Sequence, residues 1–326
     1  MTSPSNILII QTSFIGDVIL ATALLESIHQ ESPEANLSIL VKKGNESLFE
    51  HHPFIKQVIV WDKKQGKYSS LWKTIRKVRA EKFDWIINAH RFASSGIITW
   101  LSGASTVSGY KKNLFAFAYT HALEHEFDGK HETERNQALV SALGSFQLAK
   151  PKLYPSSDDF ASVQVYQDKP YYTIAPTSVW FTKQWTPNKW IELIDALPVE
   201  TNVYLLGAPN NAESCERVAC QSNRSVQNLA GKFSLLQSAA LMSKAKMNYV
   251  NDSAPMHLCS AVNAPVTAIY CSTIPQFGFG PLSDVSHVIE TKEKLDCRPC
   301  GIHGHQSCPK GHFKCSDSIE ISMLPQ

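Results

Sequence analysis

The sequence has no apolar run long enough to cross a bilayer; stretches such as "GIITWLSG" reach only strand length. Its opening "MTSPSN" carries neither the basic nor the apolar region of a secretory leader. Charge of one sign is missing too. With 31 Lys and Arg against 29 Asp and Glu the net is +2, so nothing global points to nucleic acid. No short-period repeat or low-complexity tract is present, and no G-x-G-x-x-G follows the first strand-like run. The last absence argues against a dinucleotide-dependent oxidoreductase. What remains is an expected cytoplasmic globular protein, able to visit a membrane surface.

The 326 residues are 43% hydrophobic and 18% charged, enough for two domains of about 150 residues each. "NILII", "NLSILV", "QVIVW" and "FDWIINA" read as strands. The amphipathic helix "DVILATALLESIHQ" and the helix "SSLWKTIRKVRAEK" lie among them. Short apolar runs separated by helices predict parallel βαβ units. Residues 150 to 170 hold three prolines and a polar cluster and read as a linker. Beyond it the alternation restarts with "YYTIAP", "NVYLLGAP", "MNYVND" and "PVTAIYC". The expected fold class is α/β, in two domains, 1–160 and 161–326.

Three turns hold candidate chemistry. In "ILIIQTSFIGDVILATALL" a strand, a turn and a helix meet at Gly16-Asp17. Unpaired N–H groups and the positive dipole end at that helix start predict a carboxylate with a low pKa, ionised at neutral pH. A first-turn capping acid is the plain alternative. In "IAPTSVWFTKQWTPNKW" a strand leads to Thr177, Ser178 and Lys183, with Pro187 just inside a Thr186 cap. Hydroxyls, turn N–H groups and a lysine suit a diphosphate, though an ordinary loop with an exposed lysine reads equally well. In "VNDSAPMHL" a strand runs into Asp252, Ser253 and Ala254, where helix N–H groups would face a phosphate; His257 follows one turn on.

Together with "HRF" (90–92), "HETERNQALV" (131–140) and "NLAGKFSL" (228–235), these segments resemble glycosyltransferase family nine, the ADP-heptose:lipopolysaccharide heptosyltransferases, over nearly the whole chain. The resemblance implies a GT-B architecture, two Rossmann-like domains with parallel sheets facing a central cleft. The first domain would take the acceptor and the second ADP-heptose. It implies Asp17 as general base and Lys183 on the diphosphate, with the Asp252-Ser253-Ala254 turn and His257 beside it. Glu213 would reach the ribose and Phe233 would pack on adenine. Thr12, Ser13, Gly16, His90, Arg91, His131 and Arg135 would face the lipopolysaccharide inner core, Kdo–lipid A; Lys111 and Lys112 read as solvated surface. An inverting transfer of this kind needs a base opposite the leaving group and charge stabilisation for the diphosphate. No acidic pair suited to Mg²⁺ is evident, so no cofactor is expected for the reaction. A different nucleotide-sugar or acceptor within the family is the alternative. Where the family turn carries glycine this sequence has Ala254, and relatives generally continue beyond "SIEISMLPQ" into a terminal helix.

Four of eight cysteines crowd into "DCRPCGIHGHQSCPKGHFKC". Cys297, Cys300, Cys308 and Cys315, with histidines between them, read as a structural zinc knuckle, a redox-labile disulfide pair or reduced thiols. A zinc-anchored nucleic-acid-binding protein is thereby a rival reading, disfavoured by the near-zero net charge and two full α/β domains.

Overall fold

The first strand, β1 (Asn6–Ile10), is buried at four of its five positions and pairs in parallel on both edges. One neighbour is β2 (Asn36–Lys42), itself paired with β3 (Ile55–Trp61). The other is β4 (Trp85–Asn88), followed by β5 (Thr106–Tyr110) and β6 (His121–Leu123). The order is therefore β3-β2-β1-β4-β5-β6, all parallel. The computed structural model describes residues 5–141, 144 and 146–325. Residues 1–4 of the stretch read for a leader, and Gln326 of the final segment, lie outside them.

The second sheet repeats the plan with β7 (Tyr171–Ala175), β8 (Asn202–Leu205), β9 (Gln227–Asn228), β10 (Met247–Asn251), β11 (Val266–Tyr270) and β12 (Ser286–Glu290). Its order is β12-β11-β10-β7-β8-β9, again all parallel. The chain divides into two compact units, Met1–Tyr154 and Pro155–Gln326. Strands buried on both faces explain the near-continuous Ile, Leu and Val runs. Among the described residues no helix is long and apolar enough to cross a membrane.

The expected amphipathic first helix is instead buried all round. Helix α1 (Ile15–Glu31) has every residue from Val18 to Ile28 buried, Thr22, Glu26 and Ser27 included. A segment more than 120 residues later covers its outer face and satisfies those polar groups. Lys152 N–H donates to Thr22 Oγ1 (2.9 Å), Ala149 N–H to Ser27 Oγ (3.0 Å) and Tyr154 O–H to Glu26 Oε1 (2.9 Å). The presumed linker is likewise partly ordered as a helix. Between α4 (Glu132–Ala138) and β7 lies α5 (Ser157–Val163), started by a capping box in which Ser156 and Asp159 satisfy each other's backbone N–H.

Helices α2 (Lys67–Ala80) and α3 (Ala93–Trp100) follow β3 and β4. The second unit carries α6 (Pro187–Ala196), α7 (Ala212–Gln221), α8 (Leu235–Ser243), α9 (Ala254–Ala261) and the short α10 (Lys314–Asp317). Pro187 opens α6 as expected, but the Thr186 side chain does not cap it; the Thr186 N–H instead donates to Ser316 Oγ (3.1 Å). The core of this unit is anchored by Trp185 and Trp190, edge to face at 5.1 Å.

Close packing around the β4 turn leaves no room at Gly96. An added Cβ would lie 2.0 Å from Asn113 Oδ1. Asn113 is buried and pinned by donation to the Phe92 carbonyl (2.9 Å) and acceptance from Phe115 N–H (3.0 Å). Gly96→Ala gains about 1 kcal/mol of helix propensity but must displace Asn113 from both bonds. The expected outcome is a net loss of about 1–3 kcal/mol, read by urea unfolding of the first unit.

Candidate active site

In an open parallel sheet, connections leave the two strands beside the reversal of strand order towards opposite faces, opening a crevice at their carboxyl ends. In the first unit those strands are β1 and β4. The β1 turn delivers Thr12, Ser13, Gly16 and Asp17; the β4 turn delivers His90 and Arg91. Asp17 occupies the third position of α1, where the Phe14 N–H favours its anion, but no side-chain cap bond forms at this helix start. Its protonation departs from expectation. Burial, then the negative charge of Glu132, push its pKa up to about 6, against the lowering effects of Arg91, the Phe14 N–H and Lys42. The helix terminus is outweighed by the desolvation of the half-buried carboxylate.

Lys42, at the end of β2, lies over the Phe14 ring (4.9 Å), its pKa lowered by burial although Asp17 opposes the shift. Lys63 donates to the Thr12 carbonyl (3.1 Å), and Thr12 Oγ1 meets His90 Nδ1 at 3.2 Å. His90 is buried, with Ser95 Oγ also 3.1 Å from Nδ1, and burial brings its pKa down to about 3. It is neutral at physiological pH and shapes the turn rather than adding charge.

Arg91 belongs to a chain of buried groups. Its Nη1 lies 3.1 Å from His125 Nδ1, and His125 Nε2 lies 3.0 Å from Glu132 Oε2. A guanidinium can only donate, so Nδ1 accepts and the ring proton sits on Nε2, facing Glu132. Arg135 Nε closes the chain on Glu132 at 2.9 Å and also covers the Phe127 ring (5.1 Å). Burial would raise the Glu132 pKa, but His125 and Arg135 outweigh it and hold the carboxyl below its ordinary value. Arg135 is thus spent inside the protein, and His131 caps α4 by accepting the Thr133 N–H (3.2 Å). Arg91 is the half-buried cation of this group that stays at the turn.

In the second unit the corresponding strands are β7 and β10. Asn251 ties their turns together: its Oδ1 accepts the Trp185 N–H (2.9 Å) and its Nδ2 donates to the Ala175 carbonyl (3.3 Å). Lys183 Nζ reaches Asp252 Oδ2 at 2.6 Å, and Thr273 Oγ1 donates to the same oxygen at 2.6 Å. Ser253 is the N-cap of α9, with no side-chain cap bond, and Ala254 and Pro255 open the helix. Thr177 and Ser178 are half-buried on the β7 loop, which Gln184 Nε2 closes onto the Ser178 carbonyl (2.9 Å). His257 is buried within α9. Glu213 is exposed in the first turn of α7 and paired with Arg217 (2.7 Å). Phe233 is half-buried, edge-on to Tyr166 at 5.5 Å.

The cysteine segment braces this loop. His305 N–H donates to Thr182 Oγ1 (2.8 Å), Cys300 N–H to the Ser272 carbonyl (2.8 Å), and Arg298 to the Cys271 and Thr273 carbonyls (both 2.7 Å). At Gly304, with φ +75°, an added Cβ would lie 2.7 Å from Thr182 Oγ1, so the loop needs glycine on both counts. Neither the zinc knuckle nor a disulfide is formed. All eight cysteines are free, and among the described residues no three His, Cys, Asp or Glu side chains are disposed to hold a metal ion. Cys297, Cys300, Cys308 and Cys315 do line one cavity of about 140 Å³ with His305 and His312. Cys300 Sγ turns to the Cys297 carbonyl (3.2 Å), Cys297 Sγ lies 3.9 Å from His312 Nε2, and Cys315 is buried in the core.

Lys42, Lys63, His125, Glu132 and Thr273 were not singled out from the sequence. Glu132 does sit inside "HETERNQALV", directly after a residue that was, whereas His125 has no flanking pattern to mark it.

Comparison with known proteins converges on one family. Lipopolysaccharide heptosyltransferase 3 of Escherichia coli is 26% identical over 283 residues, 80% of this chain and 82% of that protein. Lipopolysaccharide core heptosyltransferase OpsX of Haemophilus influenzae is 24% identical, covering 90% and 86%. Among solved structures, a family 9 glycosyl transferase from Veillonella parvula superposes with a TM-score of 0.81 at 23% identity, over 88% of this chain and 86% of that one. The fold is thus the GT-B type, as expected. Residues 71–305 match the model of glycosyltransferase family 9 (heptosyltransferase), and the chain belongs to that family.

Proposed function

We propose that this protein is an inverting, metal-independent transferase that moves heptose from ADP-heptose to the inner core of lipopolysaccharide. Asp17 carries the reading: a carboxylate with its pKa raised to about 6, at the strand-order reversal of the first unit, is the general base. The acceptor hydroxyl attacks the anomeric carbon of heptose, its proton passes to Asp17, the bond from that carbon to the diphosphate breaks, and ADP leaves. A carboxylate of pKa near 6 is mostly ionised at neutral pH yet more basic than a solvated aspartate. Arg91, steadied by His125, meets the acidic groups of the core. Thr12, Ser13 and Gly16 form the floor of the acceptor turn, which His90, His131 and Arg135 support from within.

The second unit takes the donor. Lys183, the α9 N-terminus, Ser253 and the Thr177–Ser178 turn neutralise the developing charge on ADP, with Asp252 and Thr273 holding Lys183 ready. Glu213 and Phe233 are assigned to the ribose and adenine, and His257 backs the turn. The names of the lipopolysaccharide heptosyltransferases that it resembles support the choice of sugar and acceptor. Such an acceptor places the enzyme at the cytoplasmic face of the inner membrane.

ADP release from ADP-heptose with a deacylated Kdo–lipid A acceptor tests this directly, and a panel of nucleotide-sugars read by thermal shift tests the donor. ADP-heptose should stabilise the protein most; a larger shift with another donor would replace heptose. Asp17→Asn should lower kcat by about 10²–10⁴-fold. In the wild type, kcat/KM should climb with pH through about 6 and then level.

The same substitution should stabilise the fold. A carboxyl raised from 3.8 to about 6 is disfavoured as an anion in the folded state, a penalty that grows between those values and is complete above them. Asp17→Asn should therefore melt above wild type at neutral pH, with the gap closing as the pH falls towards 3.8. Lys183→Ala should reduce kcat/KM for the donor about 10- to 100-fold, the size of a lost charge-assisted bond. Exhaustive EDTA treatment should leave turnover unchanged.

A further inference from the structure

We infer that the outer face of α2 is a docking surface for an anionic lipid bilayer. Helix α2 buries Thr74, Ile75 and Val78 against the first sheet's core. Tyr68, Trp72, Arg76 and Arg79 recur at intervals of four, four and three, which puts them in one exposed stripe along the flank of the buried face. Tyr68 is 72% exposed and Trp72 53%. Lys73 and Lys77 flank the stripe, and Trp72, Lys73, Arg76 and Ser69 line a shallow surface depression.

The charge is concentrated here. From residue 64 to 82 the sequence has seven lysines and arginines against one acid, Glu81, so this stretch alone exceeds the whole-chain net of +2. Large exposed apolar groups continue the surface. Arg79 Nη1 donates to the Leu101 carbonyl (3.4 Å), at the end of the adjoining α3. There Trp100 stacks on Phe115 (5.6 Å) and meets Phe117 edge-on (5.9 Å). Phe117 and Leu114 are each 74% exposed, beside exposed Lys111 and Lys112.

Tryptophan and tyrosine favour the level of lipid headgroups, and lysine and arginine the phosphates just outside. A nucleic acid would match the cations but leave Leu114 and Phe117 without an apolar environment. A bilayer accommodates both. The stripe shares no residue with the proposed catalytic or donor sites, so the inference stands apart from the identity of the sugar.

Flotation with vesicles tests it. At low salt the protein should bind phosphatidylcholine vesicles containing phosphatidylglycerol, scarcely bind pure phosphatidylcholine, and be released by raised salt. Lys73→Glu with Arg76→Glu and Lys77→Glu should weaken binding roughly a hundredfold or more, because each cation near the surface counts for about fivefold. Trp72→Ser should weaken it several-fold without altering the salt dependence. Turnover of a deacylated, vesicle-free acceptor should be unchanged in both variants, which separates loss of docking from loss of the proposed reaction. Equal binding to neutral vesicles, indifference to salt, or full binding by the triple variant would each overturn the inference. So would loss of an α2-dependent dimer, or of tRNA binding, in the triple variant while vesicle binding persists. Should the triple variant fail to fold, the wild-type salt titration and Trp72→Ser decide alone.

Discussion

Parallel pairing of β1 with β4, and of β7 with β10, is the constraint on which the functional geometry rests. All strands of a parallel sheet end at one edge, so every turn leaving a carboxyl end is delivered there. Where the strand order reverses, helices diverge and backbone N–H groups are left facing an opening. Each unit uses that opening differently. In the first it holds a carboxylate, a histidine and an arginine; in the second a lysine, an aspartate and the start of α9. The plan is repeated while the side chains it delivers differ, so each set of charges is tuned in its own surroundings.

Much of this order can be read in the sequence. Apolar β-branched runs of four to seven residues, separated by helical stretches, suffice for the alternation, and strand–turn–helix junctions suffice to find Asp17, Lys183 and Asp252. The reading stops where long-range packing takes over. Nothing local to α1 shows that its outer face is covered, because the residues that accept that face lie at 149–154. A Pro-rich stretch hid α5 although the Ser156 and Asp159 capping pair was in plain view. His125 and Glu132 are seven residues apart, and only folding places one against the other and lets the charge of Glu132 act on Asp17. The zinc reading failed in a related way, since cysteine spacing states what could converge but not how the sulfurs are used.

The error over Asp17 is the most informative, because both effects at that site are real. A helix N-terminus does favour an anion, by about 0.3–1 kcal/mol at an exposed surface. Removing a carboxylate from water costs several times that, and Glu132 adds to the cost. The helix end therefore limits the rise rather than reversing it. Glu132 in turn is held below its ordinary pKa, against burial, by His125 and Arg135. The basicity of Asp17 is thus set partly by a carboxylate more than a hundred residues away in sequence, itself fixed by the histidine that orients Arg91.

Asp17 and Asp252 show how position and surroundings separate. Both follow a strand beside the order reversal and both lie near a helix start. Asp252 receives Lys183 and the Thr273 hydroxyl on one oxygen, an arrangement that fixes a cation in place. At Asp17 the Phe14 N–H, Arg91 and Lys42 favour the anion, but not enough to offset burial. The difference between the two environments, more than the presence of either residue, is what sets one carboxyl apart as strained in its anionic form and the other as the anchor of a lysine.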